Sequence, residues 1–259
     1  MNPYQLGINR AKALRGEWQL GSGPIGDIFG LLEEHGIDVV RWPMDRRISG
    51  CLAKVPEVGP IIFINNRFTL GHQAFTAAHE LYHLVSDQTQ TVRWEVLTKE
   101  DGPKPDVERA ADAFAAEFLM PPPGIVAALG GMAIRSIDVE HVIRLQILFG
   151  VSYVSMTYRL HNLKIINKRK LNRLLEERYP ARRALELGYD ARIVFGDPQP
   201  IYPRRFRRLA LRALLNGDIS RAKFKELLEI SETEFDRMVK EAQLEELLVE
   251  GDDLPLNEP

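Results

Sequence analysis

Two histidines and a glutamate in FTAAHELYHL, residues 75–84, have the types and spacing of a zinc-hydrolase site. Alanine, glutamate and leucine favour a helix, and no glycine or proline interrupts the run. On a helix, His79 and His83 lie one turn apart on the same face, so both imidazoles can reach one ion. Glu80 lies about 100° further round, where its carboxylate can hold a water without binding the metal. The alternative is that the two histidines simply pack or face solvent.

A second stretch, ERAADAFAAEFLM at residues 108–120, offers a third ligand. Glu108 and Asp112 are four residues apart on a predicted alanine-rich helix and share a face, whereas Glu117 points about 180° away from Glu108. We therefore expect Glu108 to complete the ligand set and Asp112 to accept the outer N–H of a ligand histidine. Glu117 is expected to face solvent. Zinc with three protein ligands lowers the pKa of a water to about 7, so Glu80 can serve as the general base.

The two stretches resemble the ImmA/IrrE family of bacterial metallo-endopeptidases, which are gluzincin-like. The resemblance covers roughly residues 10–165 and is specific around the two helices. One departure is that GHQA separates the R-F-T run from the motif, which would lengthen the active-site helix by a turn. The residues that match are Arg67, Phe68, Thr69, His79, Glu80, His83, Glu108, Ala111, Phe114, Ala115, Leu119, Met120 and Pro121.

The resemblance implies an enzyme with one catalytic Zn²⁺ and a narrow protein target. The target would be a helix–turn–helix repressor of the Xre type or an antitoxin. Its cleavage would relieve repression in a stress response, a mobile element or a toxin–antitoxin circuit. The partner would therefore be a protein, with nucleic acid not favoured and no membrane involved.

Composition is that of a globular chain, with 45% hydrophobic and 27% charged residues in 259. No apolar run is long enough to span a membrane, and the N-terminus lacks the apolar core of a signal peptide. Cys51 is the one cysteine and has no disulfide partner, so we expect a cytoplasmic protein in which this thiol is buried in a strand.

Short strands precede the zinc helix. IDVVRW (37–42), ISGCLAKV (48–55) and IIFINN (61–66) read as strands, with PEVGP as a hairpin turn between the last two. The sequence thus predicts an α+β fold, in which a small antiparallel or mixed sheet packs on zinc-binding helices and a mostly helical C-terminal region follows. A substrate backbone could align by strand addition. We assign this role to Ile62, Phe63, Ile64 and Asn65, against the equal alternative of a plain core strand.

Two connecting regions have several interpretations. Residues 86–106 read as a polar loop that covers or borders the cleft. Trp94 could contact a substrate, but we favour a role in anchoring the loop to the core. Residues 136–163 read as two helices meeting at Gly150, with Ser152 capping the second. This helix–turn–helix pattern could present bases with Tyr153, Ser155, Thr157, Arg159 and Asn162, but we favour packing.

Charge is distributed unevenly. Residues 164–212 hold 14 Lys or Arg against 5 Asp or Glu, whereas residues 213–259 hold 5 against 13. The basic stretch can meet nucleic acid or pair with the acidic end of its own chain. We predict a zinc metallopeptidase domain at 1–165 that includes a closing helical bundle, and a basic helical connector and linker at 166–203, with the linker itself at 196–203. A small helical module at 204–250 and a disordered tail at 251–259 are predicted to follow.

Three functions remain open from the sequence, of which a zinc hydrolase that acts on a small molecule is the least favoured. The first is a zinc endopeptidase, with Glu80 activating the water. The second is a non-catalytic regulator that binds a repressor or DNA through its helical C-terminal half. Glu80 has no purpose in a purely structural zinc site, which would use a fourth protein ligand, and this favours the peptidase.

Overall fold

The computed structural model describes residues 2–86, 92–96, 104–131, 136–177, 180–189 and 201–240, with the backbone alone for 92–96. The chain divides into two compact units, residues 1–201 and 202–259. The helices of the first unit are α1 (Pro3–Glu17), α2 (Ile28–Glu34), α3 (Leu70–Ser86), α4 (Asp106–Leu119), α5 (Pro122–Leu129), α6 (Val139–Phe149), α7 (Tyr153–Asn162), α8 (Lys168–Leu175) and α9 (Pro180–Glu186). Its strands are β1 (Asp38–Trp42), β2 (Ile48–Val55), β3 (Gly59–Asn65) and β4 (Val92–Val96).

The four strands form one mixed sheet in the order β1–β3–β2–β4. Strand β1 runs parallel to β3, and β2 runs antiparallel to both β3 and β4. The predicted α+β fold and the β2–β3 hairpin are therefore confirmed. Strand β4 is a correction, because it lies inside the segment that was read as a loop. Most of that loop, at 87–91 and 97–103, and the Trp94 side chain lie outside the described residues.

The two sides of β3 are both occupied, because it lies between β1 and β2 in the sheet. The outer side of β1 carries a further backbone bridge, in which Arg41 and Ile201 exchange N–H···O bonds of 2.9 Å. Among the described strands, the outer side of β4 is therefore the one with no described strand or bridge beside it.

The core of the first unit lies where α1, α3 and α4 pack together against the sheet. Gly7 on α1 allows the closest approach, because a Cβ there would lie 2.0 Å from the carbonyl oxygen of Ala110 on α4. Helices α8 and α9 add Leu171, Leu174 and Ala184 to the same core. Residues 166–177 and 180–189 therefore pack within the first unit. Residues 190–200, which include most of the predicted linker, lie outside the described residues.

The α6–α7 pair is a packing unit of the first core. Gly150 takes a left-handed conformation (φ 64°) at the end of α6, and Ser152 caps α7 by accepting from the Ser155 N–H, as predicted. Tyr153, Thr157 and Arg159, which were considered for base contacts, are all buried. The helix cannot present these side chains to a DNA groove.

The second unit contains α10 (Arg204–Leu215), α11 (Arg221–Leu228) and a further helix at 232–240. Its small core centres on Phe224, whose ring packs edge-on to Phe235 at 5.5 Å. Ser220 caps α11, and Ser231 with Glu234 forms a reciprocal capping pair at the start of the helix at 232–240. The predicted tail at 251–259 lies outside the described residues. None of the described helices has the length and apolar character that a membrane span requires.

Candidate metal centre

Helix α3 begins at Leu70, so GHQA lies inside it and the active-site helix is longer than the motif alone, as predicted. Thr69 precedes the helix and accepts from the His72 N–H through its hydroxyl at 3.4 Å. Helix α3 carries His79, Glu80 and His83 in its C-terminal half, and the side chains of all three are buried.

Alanines bring α3 and α4 together. Ala77 and Ala78 on α3 and Ala111 and Ala115 on α4 are fully buried, and such small side chains let two backbones approach closely. One turn further on, Tyr82 contacts Phe114, with ring centroids 5.6 Å apart. This packing sets Glu108, in the first turn of α4, opposite the two histidines.

Three donor atoms converge between the helices. His79 Nε2 lies 3.2 Å from His83 Nε2 and 2.9 Å from a Glu108 carboxylate oxygen. The other Glu108 oxygen lies 3.5 Å from His83 Nε2. Among the described residues, these three form the one group of His, Cys, Asp or Glu close enough to share a metal ion. The structure thus brings together the three ligands predicted from the sequence.

The donor set fits a divalent ion. Ligand distances of about 2.0–2.1 Å at a tetrahedral zinc place neighbouring donor atoms about 3.3 Å apart, close to the separations found here. Asp112 Oδ1 lies 3.1 Å from His79 Nδ1, so that nitrogen carries the proton and donates it to the carboxylate. When His79 is neutral, its Nε2 lone pair faces the Glu108 carboxylate, and two acceptors at 2.9 Å need a proton or a metal cation between them.

The acidic residues of the centre are strongly favoured in their ionised form. Burial opposes ionisation of Glu108, but hydrogen bonds and charge from His79 and His83 outweigh it and hold the pKa of Glu108 well below its usual range. Burial likewise opposes ionisation of Asp112, and His79 and Lys104 outweigh it, so the pKa of Asp112 is also lowered. Both carboxylates are therefore anionic ligand or partner groups near neutral pH.

Glu80 follows His79 on α3 and is 1% exposed. The charge of its carboxylate also affects a residue of the sheet, Cys51 on β2. Burial, followed by the negative charge of Glu80, raises the pKa of the Cys51 thiol on β2 from 9.0 to about 11. Glu80 therefore lies within electrostatic range of β2, beside the ligand cluster. Cys51 is buried in a strand, as expected.

Two expectations about site residues need correction. Glu117 does not face solvent, because it is 3% exposed and pairs with the buried guanidinium of Arg159. The β3 residues Ile62, Phe63, Ile64 and Asn65 do not offer an edge for strand addition, because β3 is hydrogen-bonded on both sides. Ile62 and Ile64 are core side chains.

Asn65 has a structural role. Its amide donates to the carbonyl oxygens of Asp45 and Ile48 and accepts from the backbone N–H groups of Met44 and Arg67. Three of these bonds tie the β1–β2 connection to the end of β3, and the bond from Arg67 closes the turn after β3. The side chain therefore has no capacity left for a substrate.

The sequence did not indicate that Lys104 belongs to the metal centre. Its ammonium donates to the second oxygen of Asp112 at 2.7 Å. Lys104 stands eight residues before Asp112 in a polar, irregular stretch, and no periodicity or motif connects the two positions. Its role depends on how the chain enters α4, which the residue pattern does not specify.

The family model of the IrrE N-terminal-like domain, Peptidase_M78, matches residues 32–161, which is half of the chain. The match spans the sheet, both helices of the centre and the α6–α7 pair. No curated protein matches the chain in a sequence search. The extent of the family match, together with the clustered His79, His83 and Glu108, shows that this chain belongs to the ImmA/IrrE family of metallopeptidases through its IrrE N-terminal-like domain.

Proposed function

We propose that the protein is a zinc-dependent endopeptidase that cleaves one regulatory protein. The observation that carries the proposal is the convergence of His79, His83 and Glu108 on one point, with Glu80 next to His79 on α3. Two imidazoles and one carboxylate are a ligand set of catalytic zinc, which keeps a position open.

His79, His83 and Glu108 would hold the ion. When bound, zinc supplies Lewis acidity that polarises the scissile carbonyl and makes a water nucleophilic near neutral pH. Glu80 accepts the proton of the attacking water and then delivers it to the departing amine nitrogen. Asp112 keeps the His79 proton on Nδ1, so that Nε2 presents its lone pair to the centre.

The substrate backbone is proposed to run along β4. Strands β2 and β3 are internal, and β1 carries the Ile201 bridge on its outer side. An extended peptide can add to a sheet through main-chain hydrogen bonds, and β4 is the outer strand that follows directly on the zinc helix. This replaces β3 in the role expected from the sequence.

The target is proposed to be a helix–turn–helix repressor of the Xre type or an antitoxin. The support is the family membership together with the resemblance of the two motif stretches to members with such targets. Cleavage would then relieve repression in a stress response, a mobile element or a toxin–antitoxin circuit.

The second unit supports a protein contact more than a DNA contact. Helix α10 exposes five arginines, but the helix at 232–240 that follows α11 exposes Glu232, Glu234 and Asp236. In a helix–turn–helix arrangement the later helix would enter the groove, and these carboxylates would be repelled by phosphates. Contact with a protein surface that carries both positive and negative charges is consistent with both the basic α10 and the acidic helix at 232–240.

A substrate trap tests the peptidase. Tagged wild type and Glu80→Gln, both loaded with zinc, are incubated with a lysate of the source organism, and bound proteins and new fragments are identified. We expect Glu80→Gln to retain an intact repressor-like protein that wild type releases as two fragments. Glu17→Gln, an exposed residue on α1, serves as the control and should behave as wild type. Equal capture of the same intact partner by both proteins would favour the non-catalytic regulator.

A further inference from the structure

The Asp112 carboxylate has a partner on each oxygen. Its Oδ1 lies 3.1 Å from His79 Nδ1, and its Oδ2 accepts from Lys104 Nζ at 2.7 Å. Among the described residues, Lys104 is the one Lys or Arg within ion-pair distance of Asp112. A continuous chain of polar contacts therefore leads from the surface ammonium through Asp112 to the imidazole of His79.

We propose that Lys104 is a positioning residue of the metal centre, which holds the Asp112 carboxylate in the orientation that directs His79 at the ion. The inference rests on the proposed zinc site, and it adds a residue to it. The Asp112 side chain is 41% exposed, so water competes for its second oxygen. With both oxygens engaged by protein groups, rotation of the carboxylate is restricted, and the imidazole it orients is restricted with it.

The backbone around Lys104 supports this role. Lys104 is followed by Pro105, which stands at the N-cap of α4 with φ −54° and ψ 151°. Proline fixes its own φ and restricts the preceding residue to extended conformations. Because α4 begins at once at Asp106, Lys104 is held by the same helix that carries Glu108 and Asp112. The ammonium is thus placed by a short and stiff connection.

The direction in which zinc affinity changes when Lys104 is removed distinguishes a positioning role from an effect of its charge alone. If Lys104 acted only by its charge, its removal would leave the centre more negative and zinc would bind more tightly. This electrostatic contribution is small, because the Lys104 and Asp112 side chains are 44% and 41% exposed and water and salt screen their charges. If Lys104 positions Asp112, its removal weakens zinc binding instead.

The test measures zinc affinity by competition with a chromophoric chelator, so it needs no substrate. Lys104→Met and Lys104→Gln should bind zinc about three- to tenfold more weakly than wild type. Lys104→Arg keeps a cation and should recover most of this loss. Arg109→Met is the matched control, because it removes the same charge from a side chain of α4 that pairs with Asp106. Its affinity should equal or slightly exceed that of wild type.

A double-mutant comparison tests whether Lys104 acts through Asp112. In an Asp112→Asn background, Lys104→Met should cause no further loss of affinity. Unchanged or tighter binding by Lys104→Met overturns the inference, and so does an equal loss in the Asp112→Asn background. Wild type that binds zinc but cleaves no protein would contradict the peptidase alone. Wild type that takes up no zinc would overturn both.

Discussion

Arg159 on α7 donates through its guanidinium to the Glu117 carboxylate on α4, and the two side chains are only 2% and 4% exposed. The same guanidinium donates to the Met120 carbonyl oxygen at 2.9 Å, so it also holds the end of α4. The helix that carries Glu108 and Asp112 at one end is therefore fastened to α7 at the other.

Removal of either partner should destabilise the first unit. Arg159→Met or Glu117→Gln leaves one buried group without its partner, and breaking a buried ion pair costs about 3–5 kcal/mol. Urea unfolding followed by tryptophan fluorescence reports on this unit, because Trp18, Trp42 and Trp94 all lie within it. Arg144→Met breaks the exposed pair with Glu140 and should cost about 0.5 kcal/mol or less. A loss of unfolding free energy from Arg144→Met as large as that from Arg159→Met would contradict the stabilising role of the buried pair.

The close approach of α1 to α4 at Gly7 should likewise stabilise the position of α4. Gly7→Ala places a Cβ against the Ala110 carbonyl oxygen, which is backbone and cannot turn away. We expect a loss of about 1–3 kcal/mol in the free energy of unfolding, because overpacking forces backbone shifts. Gly16→Ala on the same helix is the control. A Cβ at Gly16 meets nothing within 4 Å, so this substitution should be neutral or stabilise by up to about 1 kcal/mol. A tolerated Gly7→Ala would show that the two helices can separate without cost.

Metal content should follow the ligand set. Wild type purified without chelator should contain one zinc per chain, and His83→Ala and Glu108→Ala should lose it, because each removes one of only three protein ligands. Asp112→Ala should keep the site but bind zinc about 10–100-fold more weakly. Metal analysis by atomic absorption checks these outcomes. His161→Ala, which removes a histidine of α7 outside the cluster, should retain its zinc. A Glu108→Ala protein with full zinc content would exclude Glu108 as a ligand.

Cys51 should be nearly inert to thiol reagents. Burial and the Glu80 charge raise its pKa to about 11 from 9.0, and the thiolate is the reactive form. At about pH 8 the thiolate fraction is about 100-fold lower than for the unshifted thiol, so alkylation of the folded protein should be slower by at least that factor. The rate should rise tenfold per pH unit until the pH approaches 11, and urea should abolish the protection. Fast labelling of the folded protein at neutral pH would contradict this environment.

The same thiol affects stability at high pH. The folded state holds the Cys51 proton up to a higher pH than the unfolded chain does, since its pKa is raised from 9.0 to about 11. Its contribution to the free energy of unfolding is fully present below about pH 9 and is lost as the pH rises toward 11. Cys51→Ala should remove this part of the pH dependence, which urea titrations at several pH values would detect.

Spacing along helices predicted the candidate metal ligands before any tertiary information. The one-turn separation of His79 and His83 and the four-residue separation of Glu108 and Asp112 follow from helix geometry alone. The β2–β3 hairpin and the cap at Ser152 were likewise predicted, because they depend on neighbours within a few residues. Each of these features can be predicted from residues that are close together in the chain.

Tertiary packing decided the rest. Helix geometry correctly placed Glu117 opposite Glu108, but whether that side of α4 meets water or Arg159 depends on where α7 packs. The position of β3 between two strands depends on pairings that the alternation of side chains does not encode, because an internal and an outer strand of one sheet can share the same pattern. The contact of Lys104 with Asp112 depends on the path by which the chain enters α4. In each case the sequence specifies the side chain, whereas the fold specifies its neighbour.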